Sequence, residues 1–215
     1  MTMGKHREIE VKLRVDDVAR LVRALKALRA KQAARVYEQD TLFDTEDGWF
    51  HKREAILRLR TCTPAAGRVA RGVRIRRIGK ATEGILTFKG LVEGAKAGGS
   101  RYKEREEIEF RVGDVARFAE VLRRIGMRRW FRYEKYRTTY TSGRYPGLKF
   151  EVDETPIGVF LELEGPQNQI DRAAKALGYS MNDYITASYL ELYAAEQARR
   201  GAKRANMLFV KKKNG

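Results

Sequence analysis

Six pairs of like charges stand two residues apart in this chain: Glu8/Glu10, Arg58/Arg60, Glu107/Glu109, Lys135/Arg137, Glu151/Asp153 and Glu162/Glu164. The residue between each pair is aliphatic or aromatic, the period-2 alternation of a strand with one apolar and one charged face. Neighbours on one strand face sit about 7 Å apart. Surfaces that serve only solubility intersperse their signs, so repeated like-sign pairs point to a further role. Carboxylate clusters with no nearby histidine suit a hard, oxygen-preferring cation, Mg2+ or Mn2+. Arginine and lysine neutralise and orient phosphate oxygens, arginine with two-pronged geometry. Phosphoryl transfer needs mainly these means: positioning, charge neutralisation, and metals on the attacking and leaving oxygens.

The elements that must position these charges are strands and amphipathic helices. Ile9, Val11 and Leu13 alternate with Glu8, Glu10 and Lys12, and a helix follows from Asp16 to about Ala30, with Asp16 as its cap. YEQDTLFDTEDGWFHKREAILRLR reads as a strand, an acidic glycine turn and a second strand, with Leu57 and Leu59 opposite Arg58 and Arg60. Residues 61–84 form a long basic hairpin or loop insertion. ILTFKG supplies a strand carrying Lys89, and VEGAKAGGS is a loop without the strand-to-helix setting of a phosphate cradle. EIEFRVGDVARFAEVLRRIG then repeats the opening EIEVKLRVDDVARLVRALKAL, setting Glu8-Ile9-Glu10 against Glu107-Ile108-Glu109 and Arg14–Arg20 against Arg111–Arg117. Three turn-linked strands and helices near Gln167–Leu177 and Ala187–Arg200 complete the chain.

Strands joined by turns pair antiparallel. If helices cover the aliphatic faces and the sheet closes, the charged faces look inward. The expectation is an α+β fold: a closed eight-stranded antiparallel β-barrel with a charged interior and helices outside. Charge withdrawn from water must be paired or ion-bound, and the inward set nearly balances: Glu8, Glu10, Glu107, Glu109, Asp153, Glu162 and Glu164 against Lys12, Arg58, Arg60, Lys89, Arg105, Lys135 and Arg137.

At 215 residues and 24.7 kDa, with 43% hydrophobic residues, the chain suits one packed domain, residues 1–198, followed by a basic tail at 199–215. A lone cysteine, Cys62, excludes an internal disulfide and a cysteine zinc cage. No apolar run is long enough for a bilayer and no secretory core opens the chain, so a cytoplasmic protein is expected. The net charge is +17, and from Arg199 onward there are seven bases and no acid. His6 and His51 read as surface residues, Trp49 and Phe50 as an apolar plug at a barrel mouth, and Tyr184, Tyr189 and Tyr193 as helix packing.

In their order, EIEVK, QDTLFDTEDG, LRLR, LTFKG, REEIE, EKYR, EVDETPIGVFLELEG and SYLELY resemble the CYTH, or triphosphate tunnel metalloenzyme, superfamily over about residues 6–195, most nearly its class IV adenylyl cyclase branch. The resemblance implies metal ligands at Glu8, Glu10, Glu162 and Glu164, with Asp153 as the tunnel aspartate of the same metal set. It implies phosphate-binding bases at Lys12, Arg58, Arg60, Lys89, Arg105, Lys135 and Arg137. Glu8, Glu10 and Lys12 thereby enter the catalytic set, joined by Glu107 and Glu109 as an acidic pair supporting a second metal or its water. The 61–84 stretch is longer than the family's usual link, so VRIRR competes with LRLR and holds Arg74 and Arg76 in reserve.

Two enzyme readings follow: a Mg2+- or Mn2+-dependent triphosphatase acting on inorganic triphosphate or an organic triphosphate, and a cyclase converting ATP to cyclic AMP and pyrophosphate. A third reading, a non-catalytic polyphosphate or nucleic-acid binder, leaves seven inward carboxylates unexplained and lacks a nucleic-acid motif. The implied partner is a triphosphate-bearing small molecule; a homodimer is compatible with the resemblance.

Overall fold

The computed structural model describes residues 6–67, 83–92, 100–202 and 205–210. Arg74 and Arg76 lie outside the described residues. Eight strands are formed: β1 (His6–Val15), β2 (Lys31–Asp44), β3 (Ile56–Pro64), β4 (Glu83–Gly90), β5 (Lys103–Val112), β6 (Arg128–Thr141), β7 (Lys149–Thr155) and β8 (Gly158–Glu164). They close into one barrel in the order β1-β5-β4-β3-β2-β6-β7-β8, every neighbour antiparallel. Four helices lie outside: α1 (Val18–Ala27), α2 (Val115–Arg124), α3 (Gln167–Ala176) and α4 (Tyr189–Arg199). None of the described helices is long and apolar enough to cross a membrane.

The internal repeat is β1–α1 and β5–α2. Its aligned aspartates cap both helices: Asp17 accepts the Arg20 N–H at 2.9 Å and Asp114 the Arg117 N–H at 3.0 Å. The cap of α1 is thus Asp17 rather than Asp16, and the helix is shorter than its apolar spacing predicts. The basic insertion also shrinks, because β3 extends to Pro64 and β4 begins at Glu83.

Alternation turns one face of each strand outward into apolar clusters. Val11, Leu13, Phe150, Val152, Leu161 and Leu163 pack with α1 and α3 residues, while Leu59, Leu86 and Val112 pack under α2. A third cluster is inward. Leu42 shares the face of Asp40, Phe131 that of Lys135 and Phe160 that of Glu162, and all three sit at one end of the barrel. With Tyr133, Tyr189, Tyr193 and Met207 they fill that end with apolar side chains.

Two seams open where strands diverge, and the C-terminal segment closes both. Lys12, beyond the β1–β5 pairing, exchanges backbone bonds with Ile185 at 3.0 and 2.9 Å. Where β6 outruns β7, Met207 donates to Arg132 O at 2.9 Å and accepts from Glu134 N–H at 3.0 Å. Residues 205–210, placed in the basic tail by composition, therefore contain a staple, with Met207 fully buried.

Phe150 is fully buried in the outer core. Phe150→Ala should lower stability by about 3–5 kcal/mol in urea denaturation. A loss below about 1 kcal/mol would show that this cluster does not hold the wall together.

Candidate active site

The lumen is a cavity of about 270 Å3 bordered by eight acids and eight bases. The acids are Glu8, Glu10, Glu38, Glu107, Glu109, Glu151, Glu162 and Glu164; the bases are Lys12, Arg58, Arg60, Lys89, Lys103, Lys135, Arg137 and Lys149. Every inward residue expected from the sequence borders it except Asp153 and Arg105. Asp153 shares the inward face of β7 with Glu151 and lies opposite Phe160 at the closed end of the barrel, fully buried, where it accepts from Lys135 at 2.8 Å, Arg137 at 2.7 Å and the Tyr189 hydroxyl at 2.8 Å. With those donors it orients bases. Arg105 faces inward by register, opposite Glu8, but its side chain does not reach the cavity.

Pairing is close throughout. Lys12 Nζ lies 2.9 Å from Glu10 and 3.2 Å from Glu162; Lys103 reaches Glu10 at 3.0 Å. Lys89 bridges Glu8 at 2.6 Å and Glu107 at 3.1 Å. Arg60 bonds Asp40 at 2.8 Å and Glu38 at 3.0 Å, Arg58 meets Glu109 at 3.2 Å, and Arg137 pairs with Glu151 and Glu162. Burial opposes the charge on Glu10, yet Lys103 and Lys12 outweigh it and hold the carboxyl well below its usual range. Burial likewise opposes Lys12, whose ammonium Glu10 and Glu162 nevertheless stabilise far above the usual lysine range.

Two carboxyls escape this balance. Burial pushes Glu107 up to about 7, with Lys89 opposing and Glu8 and Glu109 adding to the rise. Burial also pushes Glu151 up to about 7, Arg137 opposing and Glu162 and Asp153 adding. The register explains the crowding: Glu151 stands directly opposite Glu162, and Glu10 opposite Glu164. Like charges in facing positions destabilise a sheet, so this donor set suits an added cation. Among the described residues no three acids, histidines or cysteines already converge as a preformed metal nest, because bases hold the carboxylates apart.

Sequence reading missed Glu38, Asp40, Lys103, Lys149, Glu151 and Tyr189. Glu38/Asp40 and Lys103/Arg105 carry the same two-apart signal around a polar middle residue, and Glu151 belongs to a recognised pair. Tyr189 comes from a helix and carries no strand signal; it packs, as expected, and also lines the lumen. Trp49 and Phe50 stack edge to face with each other, Phe50 on Phe88, at the β2–β3 link rather than in the lumen.

The raised carboxyls fix a pH dependence. Folded Glu107 and Glu151 keep a proton to about pH 7, whereas the unfolded chain loses it near 4.5, so this contribution is lost as pH rises between those values. With chelator present, Tm should fall from about pH 5 to about pH 8, and Glu151→Gln should flatten the slope. A wild-type Tm that climbs steadily over that window would refute the assigned burial.

Comparison with known proteins bears on this lumen. A family model described as the CYTH domain matches residues 6–189. A candidate adenylate cyclase from Methanocaldococcus jannaschii is 25% identical over 196 residues, covering 86% of this chain and 97% of the relative. Among solved structures, a candidate adenylate cyclase from Vibrio parahaemolyticus superposes with a TM-score of 0.69 at 16% identity, covering 89% of this chain and 99% of that one. A candidate adenylyl cyclase from Hippeastrum, whose structure is described as revealing a dominant triphosphatase activity, superposes with a TM-score of 0.56 at 18% identity, covering 92% and 97%. The match spans every barrel strand and ends on the tyrosine that enters the lumen from α4, and this chain is therefore a member of the CYTH domain family.

Proposed function

We propose that the protein is a divalent-cation-dependent triphosphatase that takes a triphosphate chain into the barrel. The observation that carries this reading is the pairing of eight acids with eight bases in one lumen closed at an end by apolar side chains. A lumen with as many acids as bases draws in a polyanion chiefly by other means than net charge. It binds one by exchange: phosphate oxygens take the bases, and cations take the carboxylates released. The cavity, of about 270 Å3, is lined mostly by charged side chains, as a phosphate chain requires.

Glu8, Glu10, Glu162 and Glu164 would hold Mg2+ or Mn2+, which when bound supplies charge neutralisation and polarisation at phosphoryl oxygens. Lys12, Arg58, Arg60, Lys89, Lys135 and Arg137 bind and align the chain. Asp153 keeps Lys135 and Arg137 in place. Glu107, poised near neutrality on the half-open side with Glu109, accepts the proton of the attacking water. The named relatives favour a second reading, cyclisation of ATP to cyclic AMP and pyrophosphate. The triphosphatase activity described for the Hippeastrum protein supports hydrolysis within the same fold.

Inorganic triphosphate and ATP, each incubated with Mg2+ or Mn2+, should yield orthophosphate on chromatography. Cyclic AMP would select the cyclase, and binding without turnover that weakens steeply with salt would select a polyanion-binding module. Glu10→Gln should lower turnover about 100- to 1,000-fold with an unchanged circular dichroism spectrum. Retention of more than about a tenth of wild-type turnover would remove Glu10 from the metal site.

A further inference from the structure

Tyr189 is the first residue of α4, and a capping box sets its place: the Ser188 hydroxyl accepts the Glu191 N–H at 3.2 Å while the Glu191 carboxylate accepts the Ser188 N–H at 2.7 Å. Three residues earlier the same segment is locked to β1 by the paired backbone bonds of Ile185 and Lys12. The side chain so placed is buried and borders the lumen. Its hydroxyl donates to Asp153 Oδ2 at 2.8 Å. Its ring lies 5.3 Å from Lys12 Nζ and 5.0 Å from Lys135 Nζ, within reach of a cation–π attraction to both. A buried phenol hydroxyl needs a hydrogen-bond partner, and here that partner is the carboxylate that also holds Lys135 and Arg137.

We infer that Tyr189 is a positioning residue for the lumen bases: its hydroxyl fixes the Asp153 carboxylate that orients Lys135 and Arg137, and its ring seats Lys12 and Lys135. The first residue of an external helix thereby sets the spacing of cations contributed by β1 and β6. The catalytic consequence rests on the triphosphatase reading; the placement rests on the contacts alone.

Tyr189→Phe keeps the ring and loses the hydrogen bond; Tyr189→Leu loses both. With inorganic triphosphate and Mn2+, the Phe variant should show kcat lowered about tenfold and KM within about twofold of wild type. The Leu variant should show kcat lowered about 100-fold and KM raised about tenfold. In the ligand-free protein, the ε-methylene proton resonances of Lys12 and Lys135 should be shifted upfield by the ring in wild type and Tyr189→Phe, and return downfield in Tyr189→Leu. A Phe variant with wild-type kcat, or lysine resonances unmoved in the Leu variant, would overturn the inference. If Tyr189→Leu does not fold, the kcat of the Phe variant decides. If wild type turns over no triphosphate, the functional reading fails, and the lysine resonances still decide where the ring sits.

Discussion

Sixteen acidic and basic side chains border one small cavity, and the buried ones among them would each lose several kcal/mol of hydration there without a partner. This requirement governs the architecture. Acids and bases must be equal in number and interleaved, so each strand supplies charges at every second position and the neighbouring strand supplies the opposite sign in register. Lys12 faces Glu162 across β1 and β8, and Lys89 faces Glu107 across β4 and β5. Where the register instead brings like charges together, at Glu10/Glu164 and Glu151/Glu162, the fold is left with a local excess of carboxylate. Those positions are where a cation would lower the energy of the folded state. Because acids and bases are equal in number around the lumen, the formal net charge of +17 arises elsewhere, and segments 68–82, 203–204 and 211–213 alone contain eleven bases and no acid.

The outer layer holds this interior in place. Apolar strand faces under α1, α2 and α3 drive closure by ordinary burial, which is non-directional and cannot set the angle of a lysine inside the wall. Directional contacts do that. Asp40 and Asp153, on the inward strand faces at the closed end of the barrel, hold Arg60, Lys135 and Arg137 from below. Ile185 and Met207, from a chain segment that belongs to no strand, fill the two gaps where the barrel's strands part.

Most of the lumen could be read from spacing, because a strand whose core-facing partner residues are aliphatic leaves its charged face only two destinations, water or a closed interior. Like-sign pairs around Ile9, Leu59, Ile108, Tyr136 and Leu163 decided between them. The pattern failed where it was diluted. Glu38 and Asp40 flank Gln39, so their strand looked like the approach to an acidic turn, and Lys103 stands in a run of mixed charge. It failed completely for Tyr189 and Met207, which reach the barrel from outside, since no local periodicity records a tertiary contact. Arg105 faces inward by register, as expected, but is not among the side chains that border the cavity.

The repeated motif sets two acidic pairs on neighbouring strands of one lumen. Glu8-Ile9-Glu10-Val11-Lys12 and Glu107-Ile108-Glu109-Phe110-Arg111 are nearly the same sequence on adjacent antiparallel strands. Their surroundings differ. Lys12 is sealed beneath Ile185 and Tyr189 and, with Lys103, keeps Glu10 ionised. Arg111, at the corresponding position, is exposed. Glu107, the counterpart of Glu8, pairs with Lys89 at 3.1 Å, but burial, with Glu8 and Glu109 adding to it, outweighs that cation and pushes the carboxyl up to about 7. Two carboxylates whose environments push their pKa values apart take up different chemical roles. The C-terminal segment covers Lys12 in one copy of the repeat, whereas Arg111 in the other is exposed, so the two copies differ in cover although their sequences nearly match.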